Sequence, residues 1–350
     1  MKNHLVFVSL VASLAGFGCS GSGGGGAGSG GAAATGATGG GGQAGSGGAG
    51  GSAGSAGSAG SAGSGAVGGY DGKLMTIAQG DPGAGELAAD PTHAYWTVNV
   101  DFYHSELYRA PLDASSGPEK LASTSGSNIR AFALDQDHVY FARSDSEIRS
   151  VPKSGGASVS IGLASQVESM VVQGGTLYGT SMDGVFKLAV AGGATQNLAQ
   201  VDDAVGVAVD ADWVYFTTES VNFSSGALLK VAKSGGDILY FGPDDAGDPL
   251  QLRVTSKGAF WSDLNNRILT AAPGAPQATQ LAQTGGDVLQ LQADDAFVYY
   301  SIPGGLYKVG VSGGSPTKVA SVDKSFGFAL DEKSVVFADA VTGKVQRIGK

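Results

Sequence analysis

The sequence predicts an all-β fold, a seven-bladed β-propeller of four-stranded blades. Three observations carry this prediction: a repeated pair of large residues, strand-length runs beside each pair, and an early segment that can complete the last repeat. A period of roughly 40 residues made of short strands is typical of propeller blades. The spacings here are 45, 38, 37, 45, 39 and 37 residues. The paired centres are Tyr95-Trp96, Tyr140-Phe141, Tyr178-Gly179, Tyr215-Phe216, Phe260-Trp261, Tyr299-Tyr300 and Val336-Phe337.

Each repeat shows the same order of strands. An apolar run that usually ends in an acid, such as VAVD to Asp210, precedes the central strand and predicts the innermost strand. A third run follows the centre, as in LLKV from Leu228. Next comes a glycine-rich turn, SGG at Ser154, Ser234 and Ser312, because glycine takes the positive φ that a tight hairpin needs. A short outermost strand ends the repeat.

The last repeat lacks an outermost strand, because the sequence stops at Lys350 just after the third strand. The run from Lys73 to Gln79, KLMTIAQ, reads as an outermost strand with no repeat before it. We therefore predict that this N-terminal strand pairs with the last blade and closes the ring, which removes exposed strand edges. The predicted propeller spans residues 70–350.

A low-complexity segment precedes the propeller. Every residue from Ser20 to Gly69 is Gly, Ala or Ser, except Thr35, Thr38, Gln43 and Val67. Such a segment has no side chains that could form a core, so we expect a disordered, flexible linker. With about 50 residues, its root-mean-square span is roughly 40 Å, enough to hold a domain away from a surface.

Residues 1–18 read as an export signal, with Lys2 ahead of an apolar run from Leu5 to Phe17 that is too short to span a membrane. The run stops at Gly18 and Cys19, and Cys19 is the only cysteine. This ending resembles bacterial lipoprotein signal peptides, in which a small residue precedes the lipidated cysteine. The resemblance implies a lipid anchor on Cys19, a linker over residues 19–69, and, because Ser20 follows, an outer-membrane location in the cell envelope. A plain secretory signal is the alternative.

The chain is acidic, with 21 Lys plus Arg against 31 Asp plus Glu. Loss of Lys2 with the signal leaves 20 basic and 31 acidic side chains, which give a net charge of −11. Nucleic-acid binding depends on basic side chains that neutralise phosphates, so this class of partner is not expected.

The repeats resemble two known propeller families. YWTV at Tyr95 and VYFTT at Val214 ahead of a KSGG turn resemble the YWTD repeats of lipoprotein-receptor propellers, and the repeat is also similar to NHL-type propellers. The likeness covers residues 70–350 and rests on the aromatic centre and the turn glycines. YWTD-type propellers have six blades, whereas seven centres are present here. The resemblance implies a propeller that binds proteins or sugars, with hydrolases and lyases among its relatives.

Three long connections suggest a binding surface, because loops between strands two and three and between strands four and one share one face of a propeller. They are Asn99–Ser105, Glu219–Gly226 and Gly242–Pro249. Aromatic residues in polar loops suit a protein or carbohydrate contact, although they could instead pack within their own loops. Many aspartates on this face favour a basic partner, or else serve solubility. The candidate ligand-binding residues are Phe102, Tyr103, His104, Glu219, Asn222, Phe223, Asp244, Asp245 and Asp248.

Polar residues also interrupt two adjacent innermost strands: Gln251 and Arg253, then Gln290 and Gln292. These side chains could hydrogen-bond a ligand in the central channel, or they could form the wall of a water-filled channel.

No catalytic motif stands out. His104 has no neighbouring Cys or His that would make a metal site, and the aspartates of Gly242–Pro249 do not match a calcium loop. We therefore expect a surface-tethered, monomeric binding module with no cofactor, whose membrane contact is the lipid anchor. The alternatives are a propeller lactonase or lyase with a metal at the channel mouth, or a purely structural surface protein.

Overall fold

The predicted propeller is confirmed in a computed structural model, which describes residues 72–79, 84–219, 226–242, 247–272, 275, 277–325 and 327–350. Seven four-stranded antiparallel sheets, the blades, are formed there. The export signal, Cys19 and the linker lie outside the described residues, as do Asn222, Phe223, Asp244 and Asp245.

The strands follow the repeats in chain order, and each blade begins with its innermost strand. Blade 1 contains β2 (Ala84–Ala89), β3 (His93–Asp101), β4 (His104–Pro111) and β5 (Glu119–Ser123). Blade 2 contains β6 (Ile129–Leu134), β7 (His138–Arg143), β8 (Glu147–Pro152) and β9 (Val159–Leu163). Blade 3 contains β10 (Ser169–Gln173), β11 (Thr176–Ser181), β12 (Gly184–Ala189) and β13 (Gln196–Ala199). Blade 4 contains β14 (Ala204–Val209), β15 (Trp213–Thr218), β16 (Leu228–Ala232) and β17 (Leu239–Tyr240).

The remaining blades keep this order. Blade 5 contains β18 (Pro249–Thr255), β19 (Gly258–Asp263), β20 (Arg267–Ala271) and β21 (Thr279–Gln283). Blade 6 contains β22 (Gln290–Ala293), β23 (Phe297–Ile302), β24 (Gly305–Gly310) and β25 (Thr317–Ala320). Blade 7 contains β26 (Gly327–Leu330), β27 (Ser334–Asp339), β28 (Lys344–Gly349) and, from the other end of the chain, β1 (Met75–Gln79).

The paired centres form the core between blades. Because successive side chains of a strand point to opposite faces of its sheet, the two members of a pair serve two different interfaces. Trp96 packs with Val336 and Val345 of blade 7, whereas Tyr95 packs with Phe132 of blade 2. This explains why both positions of the pair are buried and, apart from Gly179, carry apolar or aromatic side chains rather than alternating with polar residues.

Ring closure by the N-terminal strand is also confirmed. β1 runs antiparallel to β28, with Met75 opposite Arg347 and Gln79 opposite Lys344. Ile77 is buried in the same core cluster as Val345 and Trp96. The ends of the described chain are therefore joined within one sheet, and packing as well as backbone hydrogen bonds holds them there.

One expectation about loops was wrong. The segment Asn99–Ser105 is an extension of the β3–β4 hairpin rather than a long loop, because Asn99 pairs with Ser105 and Asp101 with His104. Only Phe102 and Tyr103 remain in the turn. The β-branched Val98 and Val100 suit a strand, and the Asp101 carboxylate caps the turn by accepting the Tyr103 N–H at 2.7 Å.

Candidate functional site

Two regions of the ring bring candidate functional side chains together. The first is the hairpin face, which we define as the face that carries the β-hairpin tips between the second and third strands and the connections between blades. The opposite face, the turn face, carries the turns between the first two and the last two strands of each blade. The second region is the central channel, bordered by the innermost strands.

Blade 1 projects an aromatic pair from the hairpin face. Phe102 is 77% exposed and Tyr103 is 67% exposed. Asp101 also holds His104, with 2.7 Å between the His104 Nδ1 and an Asp101 oxygen. His104 therefore belongs to a local network that stabilises the turn, and the two aromatic rings are the groups presented outward.

Three other hairpin tips carry a single apolar residue, to which the sequence did not point. Met182 of blade 3, Leu264 of blade 5 and Val341 of blade 7 are each more than half exposed, as is Val100 on the blade 1 hairpin. The signal in the sequence is slight, since each is one apolar residue in a short turn. Only the closed ring places these tips on one face.

The hairpin face is strongly acidic. Among its described residues, Lys344 is the one exposed base. Arg143 is paired with the Asp145 carboxylate at 2.8 Å. The exposed acids of this face are Asp101, Asp145, Asp183, Asp202, Asp203, Asp287 and Asp323.

Two of the predicted ligand-binding acids have structural surroundings of their own. Asp248 accepts the Gly226 N–H at 2.7 Å, so it ties the long blade 4 connection to blade 5. Glu219 is half-buried. Its pKa is raised to about 7, chiefly by burial and also by repulsion from the negative charges of Asp203 and Glu168. Within the described part of the chain its Oε1 atom is buried without a hydrogen-bond partner.

Three of the four predicted channel residues, Arg253, Gln290 and Gln292, are linked by hydrogen bonds around Phe328, whereas the Gln251 side chain takes no part. Arg253 Nε donates to Gln292 Oε1 at 2.9 Å, and the Gln292 amide donates to the Phe328 carbonyl at 3.4 Å. Gln290 Oε1 accepts the Phe328 N–H. These contacts satisfy the unpaired edge of the innermost strand of blade 7, since each innermost strand has backbone groups without a strand partner on its channel side.

Three further charged residues join the channel, and the sequence did not single them out. Glu86 of blade 1 accepts the Phe132 N–H at 3.2 Å, and Arg130 of blade 2 forms an ion pair with Glu168 ahead of blade 3. Each is one charged residue in or beside an otherwise apolar innermost strand. Their proximity arises across blades, which no local pattern reveals.

Enclosure by protein changes the acid–base behaviour of the channel. Desolvation raises the Glu86 pKa to about 7, although the Phe132 N–H and the positive charge of Arg253 oppose this. Desolvation likewise lowers the Arg253 pKa to about 10, against the attraction of Glu86. The described residues contain no group of three or more His, Cys, Asp or Glu side chains arranged to hold a metal ion.

No protein-family model matches the chain, and no curated protein is detectably similar to it. Solved structures do share its fold. The WD40 propeller domain of Doa1 has a TM-score of 0.62 at 11% identity, covering 79% of this chain and 95% of that one. YCF48 bound to D1 peptide has a TM-score of 0.60 at 11% identity, covering 80% and 98%.

PorZ, a bacterial surface component of the type-IX secretion system of Porphyromonas gingivalis, has a TM-score of 0.58 at 12% identity. The match covers 78% of this chain and 37% of PorZ. At these identities the likeness supports the propeller fold and leaves function to the residues of the site. In the part of the chain that the structure describes, no helix has the length and apolar character to cross a membrane.

Proposed function

We propose that this protein is an exported, surface-tethered recognition module whose hairpin face binds a basic, apolar-bearing segment of another protein. The observation that carries the proposal is the set of exposed apolar tips on that one face. Large apolar side chains left in water mark interaction sites when they gather on one surface. The hairpin face presents them from four of the seven blades.

The distribution of exposed apolar residues separates the two faces. Of twelve large hydrophobic residues that are exposed among the described residues, six lie on hairpins of the hairpin face. The other six lie on or next to outermost strands, at the outer circumference of the ring. In the described turns of the turn face, Ile238 beside β17 is the one residue of the twelve, so a partner that seeks apolar contacts meets more of them on the hairpin face.

The kind of partner follows from the side chains. Seven exposed aspartates surround the apolar tips, so a basic segment is attracted and an acidic one is repelled. Carbohydrate recognition relies on aromatic rings and hydrogen-bonding groups. Met182, Leu264 and Val341 are aliphatic or thioether side chains, which pack against apolar side chains of a polypeptide. A protein segment therefore matches this surface better than a glycan.

The similar structures and the N-terminal sequence support this use. YCF48, with the same fold, was solved with D1 peptide bound, and PorZ is a bacterial surface component. After removal of the signal at residues 1–18, a lipid on Cys19 would anchor the chain, and the linker to Gly69 would hold the ring away from the membrane. In this arrangement the acidic hairpin face is the recognition surface and the linker gives it reach.

A displayed random-peptide library tests the proposal. Selected peptides should be rich in Lys or Arg together with large apolar residues. The double variant Phe102→Ala with Tyr103→Ala should bind them at least about tenfold more weakly, because exposed aromatic anchors carry much of such binding energy. The matched control is Leu239→Ala with Tyr240→Ala on outermost strand β17, where Tyr240 is 68% exposed.

Binding should also weaken as salt rises through the physiological range, because the aspartates act through screened charges. Three results would each count against the proposal: no selected peptides, an acidic consensus, or an equal loss in the β17 control.

A further inference from the structure

The channel contains an arrangement that the proposed protein recognition does not use. Glu86 stands on the innermost strand of blade 1 and Arg253 on that of blade 5, so the two face each other across the ring. Their charges attract each other: Arg253 lowers the pKa of Glu86 and Glu86 raises the pKa of Arg253, each against the effect of burial. Between these two described residues, however, no nitrogen–oxygen distance is within the 4.0 Å of an ion pair.

These side chains are properties of particular blades and not of the repeat. Strand register places Glu86, Gln251 and Gln290 at equivalent positions of blades 1, 5 and 6. Four other blades have small residues there: Ala131, Ser169, Gly206 and Gly327. Four of the seven blades therefore have no long polar side chain at this level, and the repeat itself does not require one.

Part of their hydrogen-bonding capacity is used within the protein and part is not. Glu86 Oε2 accepts the Phe132 N–H, and Arg253 uses Nε and one terminal nitrogen on Gln292 Oε1 and the Leu252 carbonyl. Among the described residues, Glu86 Oε1, the second terminal nitrogen of Arg253 and the Gln251 amide have no partner. All three residues keep part of their surface accessible.

We propose that the channel binds a small zwitterion of amino-acid size, with its ammonium group at Glu86 and its carboxylate at Arg253 and Gln251. A carboxylate accepts from Arg Nη and from an amide N–H, and an ammonium donates to a carboxylate. Glu168 also lies on the Glu86 side, but Arg130 pairs with it, so the Glu86 carboxylate is the acceptor left for the ammonium group. A molecule that carries both charges can bridge Glu86 and Arg253, which do not contact each other directly.

Opposite charges enclosed in protein without contact are unfavourable, since direct pairing does not offset the free energy lost on desolvation. Water in the channel can offset part of that loss. A zwitterion offsets more of it, because both of its hydrogen-bonding groups are charged. An amine alone or an acid alone pairs with one side and leaves the other without a charged partner.

The test uses the full chain and follows its thermal unfolding midpoint and its binding isotherm with the standard amino acids and diglycine. Acetate and methylamine are the matched single-charge probes. At least one zwitterion should raise the midpoint, and neither single-charge probe should do so. Glu86→Gln and Gln251→Ala should each weaken binding at least about tenfold, the effect of losing a hydrogen bond to a charged group.

Gln251→Ala is the decisive variant, because its amide bonds to nothing in the described protein and its loss should leave folding unchanged. Gln280→Ala, on outermost strand β21, is the matched control and should bind normally. The double variant of Phe102 and Tyr103 should also keep zwitterion binding, so failure of the hairpin-face proposal is distinguishable from failure of this one. No midpoint change with any zwitterion, an equal change with acetate or methylamine, or full binding by Gln251→Ala would each overturn the proposal.

Discussion

Lys153 of blade 2 donates a hydrogen bond to Asp90 of blade 1, with 2.8 Å between Nζ and Oδ2, and its ammonium lies 5.0 Å from the centre of the Tyr95 ring. The arrangement recurs. Lys233 of blade 4 binds Gln173 and lies over Tyr178 of blade 3, and Lys350 of blade 7 binds Asp294 of blade 6 at 2.9 Å. We call these contacts interblade lysine clamps. They join neighbouring blades on the turn face.

Removing the first clamp should destabilise the ring. Lys153→Met keeps most of the apolar stem but leaves the half-buried Asp90 carboxylate without its cation. We expect a loss of about 1–3 kcal/mol in the free energy of unfolding, measured in urea. Lys120→Met is the control, because Lys120 forms an exposed pair with Glu106 that should contribute no more than about 1 kcal/mol. Equal losses in the two variants would contradict the clamp.

The same clamp makes a prediction about acid. Desolvation raises the Asp90 pKa, but the Lys153 hydrogen bond and backbone N–H groups outweigh it and hold that pKa far below its ordinary value of 3.8. A depressed carboxyl pKa stabilises the fold above pH 3.8 and loses this contribution as the pH falls further. Unfolding curves taken below pH 4 should therefore show a smaller difference between Lys153→Met and the unchanged protein than curves at pH 7.

Glu86 should show the opposite pH dependence. Its pKa is raised from 4.5 to about 7. The contribution of the protonated Glu86 carboxyl to the free energy of unfolding is fully present below pH 4.5 and is lost as the pH rises through 7. Glu86→Gln should therefore be neutral at pH 4.5 and stabilising at pH 8, by up to about 3 kcal/mol from the linkage relation.

The groups facing Glu86 set the size of this effect: the Phe132 N–H and Arg253 oppose protonation, and Glu168 favours it. Denaturant unfolding at the two pH values provides the measurement, with the exposed Glu332→Gln as control. A Glu86→Gln variant less stable at pH 8 than at pH 4.5, relative to the unchanged protein, would show that Arg253 already neutralises the carboxylate.

Closure by β1 can be tested at one side chain. Ile77 is 3% exposed and packs against the last blade, whereas Leu74, just before β1, is 53% exposed. Ile77→Ala should cost about 2–4 kcal/mol, the usual loss for a buried aliphatic side chain, and Leu74→Ala well under 1 kcal/mol. Deletion of residues 70–79 should expose the edge of β28 and promote aggregation. A truncated chain that stays monomeric with an unchanged melting temperature would exclude this role.

The membrane anchor stays a prediction from sequence, since Cys19 lies outside the described residues. Cys19→Ser should move the protein from the membrane fraction to the soluble fraction, because a serine hydroxyl cannot receive the lipid. Fractionation of cells followed by immunoblotting measures this. Signal cleavage must be followed in the same samples, and unchanged membrane partition with normal cleavage would favour a different mode of attachment.

The sequence alone predicted the blade number, the strand order and the closing strand. Each depends on local signals. These are the residue pair in the second strand of each blade, the turn glycines, and an extra strand at the N-terminus that matches the strand missing from the last repeat. Turn acids such as Asp135 were also visible, and the structure shows why they recur. The Asp135 carboxylate accepts the Asp137 and His138 N–H groups and the Tyr140 hydroxyl, all within five residues.

Tertiary structure decided the rest, because the remaining contacts join residues far apart in sequence. Lys153 read as part of a turn, but it binds an acid 63 residues earlier. Met182, Leu264 and Val341 form a surface only when the ring brings their hairpins to one face. Glu86 and Arg253 share a channel because blades 1 and 5 stand on opposite sides of it. The order and length of the strands are encoded by neighbouring residues. Which charged side chains come close to one another depends instead on the closure of seven sheets into a ring.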